Sequence, residues 1–187
     1  MNNKKTDRTN DKNNSLSRVE PLAEHHICNT FDCGKHESLT VWLKRYALES
    51  QKAKSARTFV VHRAHAVVGY YSLCASSINR NEASARAAKG QPAHPIPAIL
   101  LARLAIDKSE QGKGLGKALL KDALLRSLNA ANEIGARVIL VHAIDQEARN
   151  FYRKFGFETS PVNDLHLMLL MKDLERSLRS APTASRS

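Results

Sequence analysis

The stretch Leu104-Ala-Ile-Asp-Lys-Ser-Glu-Gln-Gly-Lys-Gly-Leu-Gly-Lys117 constrains the fold more than any other part of the chain. It closes an apolar run over residues 98–106, broken by Arg103, that suits a central strand buried on both faces. Residues 109–114 then form a turn. Leu120, Ala123, Leu124, Leu128 and Ala131 carry helical period from just past it, and Gly135 is a stop signal. In the turn, Gly112, Gly114 and Gly116 let backbone N–H groups converge without Cβ obstruction, and the helix start adds partial positive charge. A strand–turn–helix unit of this kind is an anion nest suited to a diphosphate, with Lys113 and Lys117 available to neutralise phosphates. The alternative is the same turn with no ligand and two ordinary exposed lysines. Two phosphate motifs fail on spacing. A Walker A loop has glycine where Gln111 stands and a hydroxyl where Ala118 stands. A dinucleotide fingerprint, G-x-G-x-x-G, fails at Lys117 and Leu119.

The rest of the chain supplies an α/β frame with a mixed sheet. Leu39, Trp42, Leu43 and Tyr46 share one helical face, with Lys44 and Arg45 outside it. Residues 58–62 and 67–76 are rich in β-branched and aromatic side chains and read as a hairpin turning through 63–66. Residues 79–97, with Arg80, Arg86, Lys89, three prolines and the single acid Glu82, form a surface loop or short irregular helix. Residues 137–143 return as a strand, 145–154 as a short helix, and Phe157 with 165–171 as closing strands. At 187 residues the chain holds one ordinary domain. Residues 1–17 lack apolar side chains to offset their ordering entropy and read as a disordered tail; 18–175 form the domain, and 176–187 a frayed tail. No apolar run approaches the ~20 residues of a membrane span, and no apolar segment follows the basic N-terminus as in a secretory signal. A cytoplasmic location without a membrane partner is expected. Three cysteines without suitably spaced His or Cys partners argue against both a disulfide framework and a metal site.

Gln111-Gly112-Lys113-Gly114-Leu115-Gly116 resembles the Q/R-x-x-G-x-G/A pyrophosphate loop of the GNAT acetyltransferase superfamily. A second element resembles the same family: 145–157, Asp-Gln-Glu-Ala-Arg-Asn-Phe-Tyr-Arg-Lys-Phe-Gly-Phe, follows its N-x-x-A-x-x-F-Y-x-x-x-G-F signature. The resemblance spans about residues 39–171. It implies a single GNAT domain whose mixed sheet carries a splayed pair of strands and flanking helices. It also implies acetyl-CoA as acetyl donor, with no metal. Main-chain contacts to pantetheine are then expected from Leu104, Ala105 and Ile106, and further cofactor contacts from the 111–117 loop, Asp145 and Asn150. Asp145 stands where the family has Asn, which puts its side-chain contact in question. Tyr152 matches the family tyrosine that reaches the thioester sulfur. A phenol with a pKa near ~10 is protonated at neutral pH and can protonate a departing thiolate; the plainer role is a core aromatic with its hydroxyl satisfied by backbone. His142, at a strand end, reads as structural, and Cys74 has no adjacent base that would make it a covalent carrier.

The acceptor is approached from two sides. Residues 98–106 contain no acid to deprotonate a lysine, whose pKa near ~10.4 keeps it charged, whereas an α-amine near ~8 is partly free at neutral pH. Asp107, Glu82 or a water chain are the remaining candidate bases. The formal net charge of +11 favours a polyanionic partner. Segments 42–48, 68–73, 97–107 and 141–143 resemble the acetyltransferase toxins of bacterial toxin–antitoxin pairs. That likeness implies acetylation of aminoacyl-tRNA, a block of translation, a homodimer and a ribbon-helix-helix antitoxin. Lys44, Arg45, Arg80, Arg86 and Lys89 are the candidate phosphate contacts, each otherwise merely solvated. Two other readings stay open: a protein or small-amine N-acetyltransferase, and a non-catalytic module that binds CoA or nucleic acid.

Overall fold

The computed structural model describes residues 15–180. The ends of the expected tails, 1–14 and 181–187, lie outside the described residues. Strands β1 (Glu20–Pro21), β2 (Arg57–Arg63), β3 (Ala66–Ile78), β4 (Ile96–Ile106), β5 (Val138–His142), β6 (Glu158–Thr159) and β7 (His166–Leu170) form one sheet in the order β1-β2-β3-β4-β5-β7-β6. Helices α1 (Glu37–Arg45), α2 (Ala47–Lys52), α3 (Ala85–Ala88), α4 (Leu115–Ile134), α5 (Gln146–Arg153) and α6 (Met171–Ser180) complete it. The sheet is mixed, as expected: β4 and β5 run parallel, β5 and β7 antiparallel.

Contacts divide the chain into two compact units. In the first, residues up to Ser72 together with Arg103–Asp122, the core gathers Phe31, Trp42, Leu43, Val60, Tyr70 and Ala105. Phe31 and Tyr70 are fully buried and meet edge to face, and the Tyr70 hydroxyl donates to Leu39 O at 2.7 Å. Truncating such an aromatic to alanine costs about 3–5 kcal/mol. The β2–β3 hairpin turns through Ala64 and His65, both at positive φ, as a two-residue loop that suits the right-handed twist of its strands. In the second unit, Leu73–Ala102 with the residues from Ala123 on, Ile78, Ala87, Ile96, Val138, Met168 and Leu170 form the core.

Several boundaries differ from expectation. Tyr46 is 53% exposed, at the interruption between α1 and α2 where its backbone leaves the helical region at φ −120°. Residues 171–180 are helical where fraying was expected from 176, since buried Leu174 anchors an amphipathic turn. At the other end Ser17 is already fastened, its N–H donating to His62 O and its hydroxyl accepting from His62 N–H, both at 2.9 Å.

Candidate functional site

β4 is the strand that leads into the glycine turn. It pairs with β5 over Ala98–Leu101 against Val138–Val141, although β4 continues to Ile106. The ladder ends there because β5 closes at His142, one residue on, whereas β4 runs five residues past its last partner. Burial changes at the same place. The strand is buried at Ala98, Ile99 and Leu101, but Ala102, Arg103, Leu104 and Ile106 are only half-buried, so it is not covered on both faces along its length. Arg103 lays its guanidinium 4.2 Å from the centre of the Trp42 ring, and Trp42 stacks in turn on Tyr70. Gly69 on β3 allows close approach here: a Cβ would come within 3.1 Å of Ile106, Leu119 and Val61 side-chain atoms.

After Ile106 the chain is clamped. The Asp107 N–H donates to Val68 O at 2.9 Å. Asp107 Oδ1 accepts from the Ser109 amide and hydroxyl, and Oδ2 accepts from the Asp32 amide at 2.8 Å. Burial works to raise the Asp107 pKa, but these hydrogen bonds overcome it and hold the carboxyl below its usual range. A carboxylate so occupied is a cap on the short 3-10 turn Lys108–Glu110 rather than a base. Lys108 Nζ pairs with Asp32 Oδ2 at 2.8 Å, a second tie between the turn and residue 32.

Gln111, extended in backbone, spends its side-chain amide on Cys33 O and Ile106 O, both at 3.0 Å, which fixes where the glycine turn begins. Gly112 and Gly114 have φ of +75° and +82°, and a Cβ at either would point into open space. The left-handed conformation thus demands glycine, and the open space leaves room for a ligand. Gly116 is different: it lies in the first turn of α4 without a positive φ. Ala118 is bonded into the helix through Gly114 O, while the amides of Leu115, Gly116 and Lys117 belong to the first turn, where no intrahelical acceptor exists. Twenty residues of helix dipole stand behind these amides. Lys113 reaches Glu110 at 3.4 Å, and Arg63 reaches the same carboxylate at 3.0 Å; Arg63, helped by Lys113, keeps the Glu110 carboxyl below its usual range. Lys117 is exposed.

In the second unit, the Asp145 carboxylate caps α5, accepting from Ala148 N–H at 2.8 Å. Asn150 is exposed on that helix. Tyr152, 6% exposed, packs its ring at 5.2 Å from Phe151 and 5.5 Å from Phe157. Gly156 ends the segment at φ +85°, releasing Phe157 toward the core. Among the described residues the Tyr152 hydroxyl has no hydrogen-bond partner, so backbone does not satisfy it. Burial pushes its pKa well above that of a free phenol, which keeps it protonated throughout the physiological range.

The basic residues fall into two groups. Lys44 and Arg45 are exposed in the last turn of α1. In the 79–97 excursion, Arg80 donates to the carbonyls of Gln91 and Pro92, and Arg86 is shared between Glu158 and Asp173. Lys89 is exposed while its carbonyl accepts from Arg137 at 3.1 Å. His142 stacks on its cross-strand neighbour His166, ring centres 4.1 Å apart. The sequence reading missed Gly69, the Asp32–Asp107 clasp and the Arg103–Trp42 contact. Arg103 was the one legible signal, a lone cation within an apolar strand.

Residues 54–159 match the acetyltransferase (GNAT) domain family. The chain is 49% identical over 136 residues to a tRNA-acetylating toxin of Mycobacterium tuberculosis (strain ATCC 25618 / H37Rv), covering 73% of this chain and 81% of that protein. Among solved structures, it resembles AtaT complexed with acetyl-methionyl-tRNAfMet, with a TM-score of 0.81 and 30% identity over 88% of this chain and 99% of that one. It also resembles a mutant AtaT toxin bound to the C-terminus of the antitoxin AtaR and acetyl-CoA, with a TM-score of 0.74 and 28% identity over 89% and 99% of the two chains. The parallel β4–β5 pair, the glycine turn that opens α4 and the family match over more than half its length agree: this chain belongs to the GNAT acetyltransferase family.

Proposed function

We propose that this enzyme transfers the acetyl group of acetyl-CoA to the α-amine of an aminoacyl-tRNA and thereby blocks translation, as the toxin of a toxin–antitoxin pair. The observation that carries the reading is the 49% identity to a tRNA-acetylating toxin over four-fifths of that protein. In this reading the amides of residues 111–117 hold the cofactor diphosphate, with Lys113 and Lys117 as counter-charges. The main chain of Leu104, Ala105 and Ile106 pairs with the pantetheine arm, as the half-buried end of β4 permits. Asp145 serves first as a helix cap, and Asn150 offers an exposed amide on the same helix.

The amine nitrogen attacks the thioester carbonyl carbon, the carbon–sulfur bond breaks, and the Tyr152 hydroxyl gives its proton to the departing thiolate. The attacking nitrogen loses its own proton to water, and the Tyr152 phenolate takes one back from water, which restores the hydroxyl. No strand carboxylate is needed for an amine that titrates near ~8, and Asp107 is occupied by three donors. Lys44, Arg45 and Lys89, with the braced Arg80 and Arg86, supply the phosphate contacts. The partners in the cell are charged tRNA in the cytoplasm, a second copy of the chain in a homodimer, and an antitoxin of ribbon-helix-helix type. Acceptor competition tests the proposal: purified enzyme with acetyl-CoA is offered aminoacyl-tRNA, lysine peptides and polyamines together. Preferential acetylation of the charged tRNA supports it; preference for peptide or polyamine assigns the chain to a protein or small-amine acetyltransferase.

A further inference from the structure

Residues 17–27 wrap the tip of the β2–β3 hairpin. Ser17 and β1 pair with β2 on one side, and Ile27 bridges to Ala66 on the other, its N–H donating to His65 O at 2.8 Å. This path brings His25, His26 and His62 onto Glu20, with His65 beside His25 and His62. Glu20 Oε1 lies 2.8 Å from His26 Nε2, 3.1 Å from His62 Nε2 and 3.9 Å from His25 Nε2. The His25 ring stands 4.1 Å from His26 and 5.4 Å, edge on, from His65. Ligand atoms of Glu20, His25 and His26 all lie within 4.8 Å of one another.

The four rings divide into two kinds. His26 Nδ1 accepts the Ala23 N–H at 2.9 Å and His62 Nδ1 accepts the His65 N–H at 3.2 Å, so neither Nδ1 carries a proton. In the neutral ring the proton then sits on Nε2, and both Nε2–H groups donate to Glu20 Oε1. These two rings, His26 buried and His62 half-buried, are therefore poor metal ligands, since binding through Nε2 would require the proton to move onto an Nδ1 that already faces an N–H. They are instead hydrogen-bond donors that fix a carboxylate, the arrangement that orients a ligand from behind. Among the described residues Oε2 of Glu20 has no partner, and the side chain is 42% exposed. His25, with its side chain 57% exposed, and His65, exposed at the turn, meet edge on, and His65 also stacks on His62 with ring centres 5.4 Å apart.

We propose that Glu20, His25 and His65 form a binding site for a zinc-type divalent transition-metal ion, with His26 and His62 orienting the carboxylate. Zinc takes imidazole nitrogen and carboxylate oxygen at about 2.0–2.2 Å, which puts neighbouring ligand atoms roughly 3.3 Å apart in a tetrahedron. The 3.9 Å from His25 to the carboxylate is within a small side-chain rotation of that value. Water completes the coordination. Such an ion would staple residues 17–27 to the hairpin tip. The site is independent of the acetyl-transfer reading.

The test is calorimetric titration of the untagged full-length protein with zinc chloride, and visible absorption with cobalt as a substitute. The wild type should bind one equivalent with a Kd below about 100 µM and melt at a higher temperature with the metal present. His25→Ala and His65→Asn should each lose at least about tenfold in affinity. Both are surface changes, and Asn tolerates the positive φ at position 65. Their metal-free melting should match the wild type. The proposal is overturned if the wild type binds no metal in this range. It is equally overturned if one equivalent still binds to the double variant, which would move the ion elsewhere, for example to the cross-strand pair His142 and His166.

Discussion

Replacing Tyr152 with phenylalanine separates two roles that a buried tyrosine can play. The substitution keeps the ring, and with it the contacts to Phe151 and Phe157. It deletes a hydroxyl that no described residue bonds, so no protein donor or acceptor is orphaned. Among the described residues the fully buried side-chain polar atoms without a hydrogen-bond partner are Ser127 Oγ and Asp173 Oδ1, not this hydroxyl, so its removal should leave stability within about 0.5 kcal/mol of the wild type. For a chain of this size that is a shift of at most about 2 °C in Tm. Catalysis changes far more. General acid assistance is worth about 10² to 10⁴ in rate, or roughly 3 to 5 kcal/mol of barrier. The assay combines single-turnover acetylation of an aminoacyl-tRNA, a calorimetric Kd for acetyl-CoA and thermal melting. The expected outcome is a fold of similar stability, near-normal cofactor binding and turnover down by at least about a hundredfold. Turnover within a few-fold of wild type would refute the general-acid role and leave Tyr152 a core aromatic. Loss of stability together with turnover would show that the hydroxyl is structural.

Three further outcomes follow from the same geometry. Gly114→Val should weaken acetyl-CoA binding on a protein that still folds: φ of +82° costs a β-branched residue about 1–2 kcal/mol, and the new side chain enters open space in front of the loop amides. Calorimetry on the folded variant reads this, and unchanged affinity would move the cofactor elsewhere. Acetyl transfer to charged tRNA should fall by orders of magnitude between ~50 and ~200 mM salt while acetyl-CoA affinity changes far less, because several phosphate contacts release counterions; a flat profile argues for a small or neutral acceptor. Partial desolvation, with His166 alongside and Glu82 opposing, lowers the His142 pKa below its unfolded value near ~6.5, an effect that the exposure of the residue keeps small. The folded state therefore binds fewer protons, so its stability is full above that pH and declines as pH falls toward the folded pKa. Melting from pH 7.5 to 5 should show this decline, His142→Gln should reduce it, and an identical slope in the variant would contradict the assignment.

What the sequence made legible was whatever depends on local pattern. The glycine turn, the long helix after it and the Phe-Tyr segment of α5 are each set by residues within a few positions of one another, and each lies where its pattern placed it. The boundaries that moved were decided by packing. Tyr46 has the right spacing for an inner face but sits at the interruption between two helices, and Leu174 holds a helix that composition alone would let fray. Asp145 shows how one side chain can satisfy a local rule and a family motif at once: its carboxylate reads as a cofactor contact by alignment and acts as a cap by geometry. The cluster around Glu20 was illegible because its members, at positions 20, 25, 26, 62 and 65, meet only after residues 17–27 wrap the hairpin tip. Asp107 could be named as a possible base from sequence, yet only its three donors reveal that it is occupied.

The most direct test of the central claim follows the label. Wild-type enzyme is incubated with acetyl-CoA carrying a radioactive acetyl group and with a mixture of charged and uncharged tRNA. The aminoacyl ester is then hydrolysed under mild alkali and the products are separated. The account predicts label in N-acetyl amino acid released from charged tRNA, none on uncharged tRNA, and almost none with Tyr152→Phe. Label that stays on the RNA after ester hydrolysis, or that appears on protein while the amino acid remains unmodified, would contradict it.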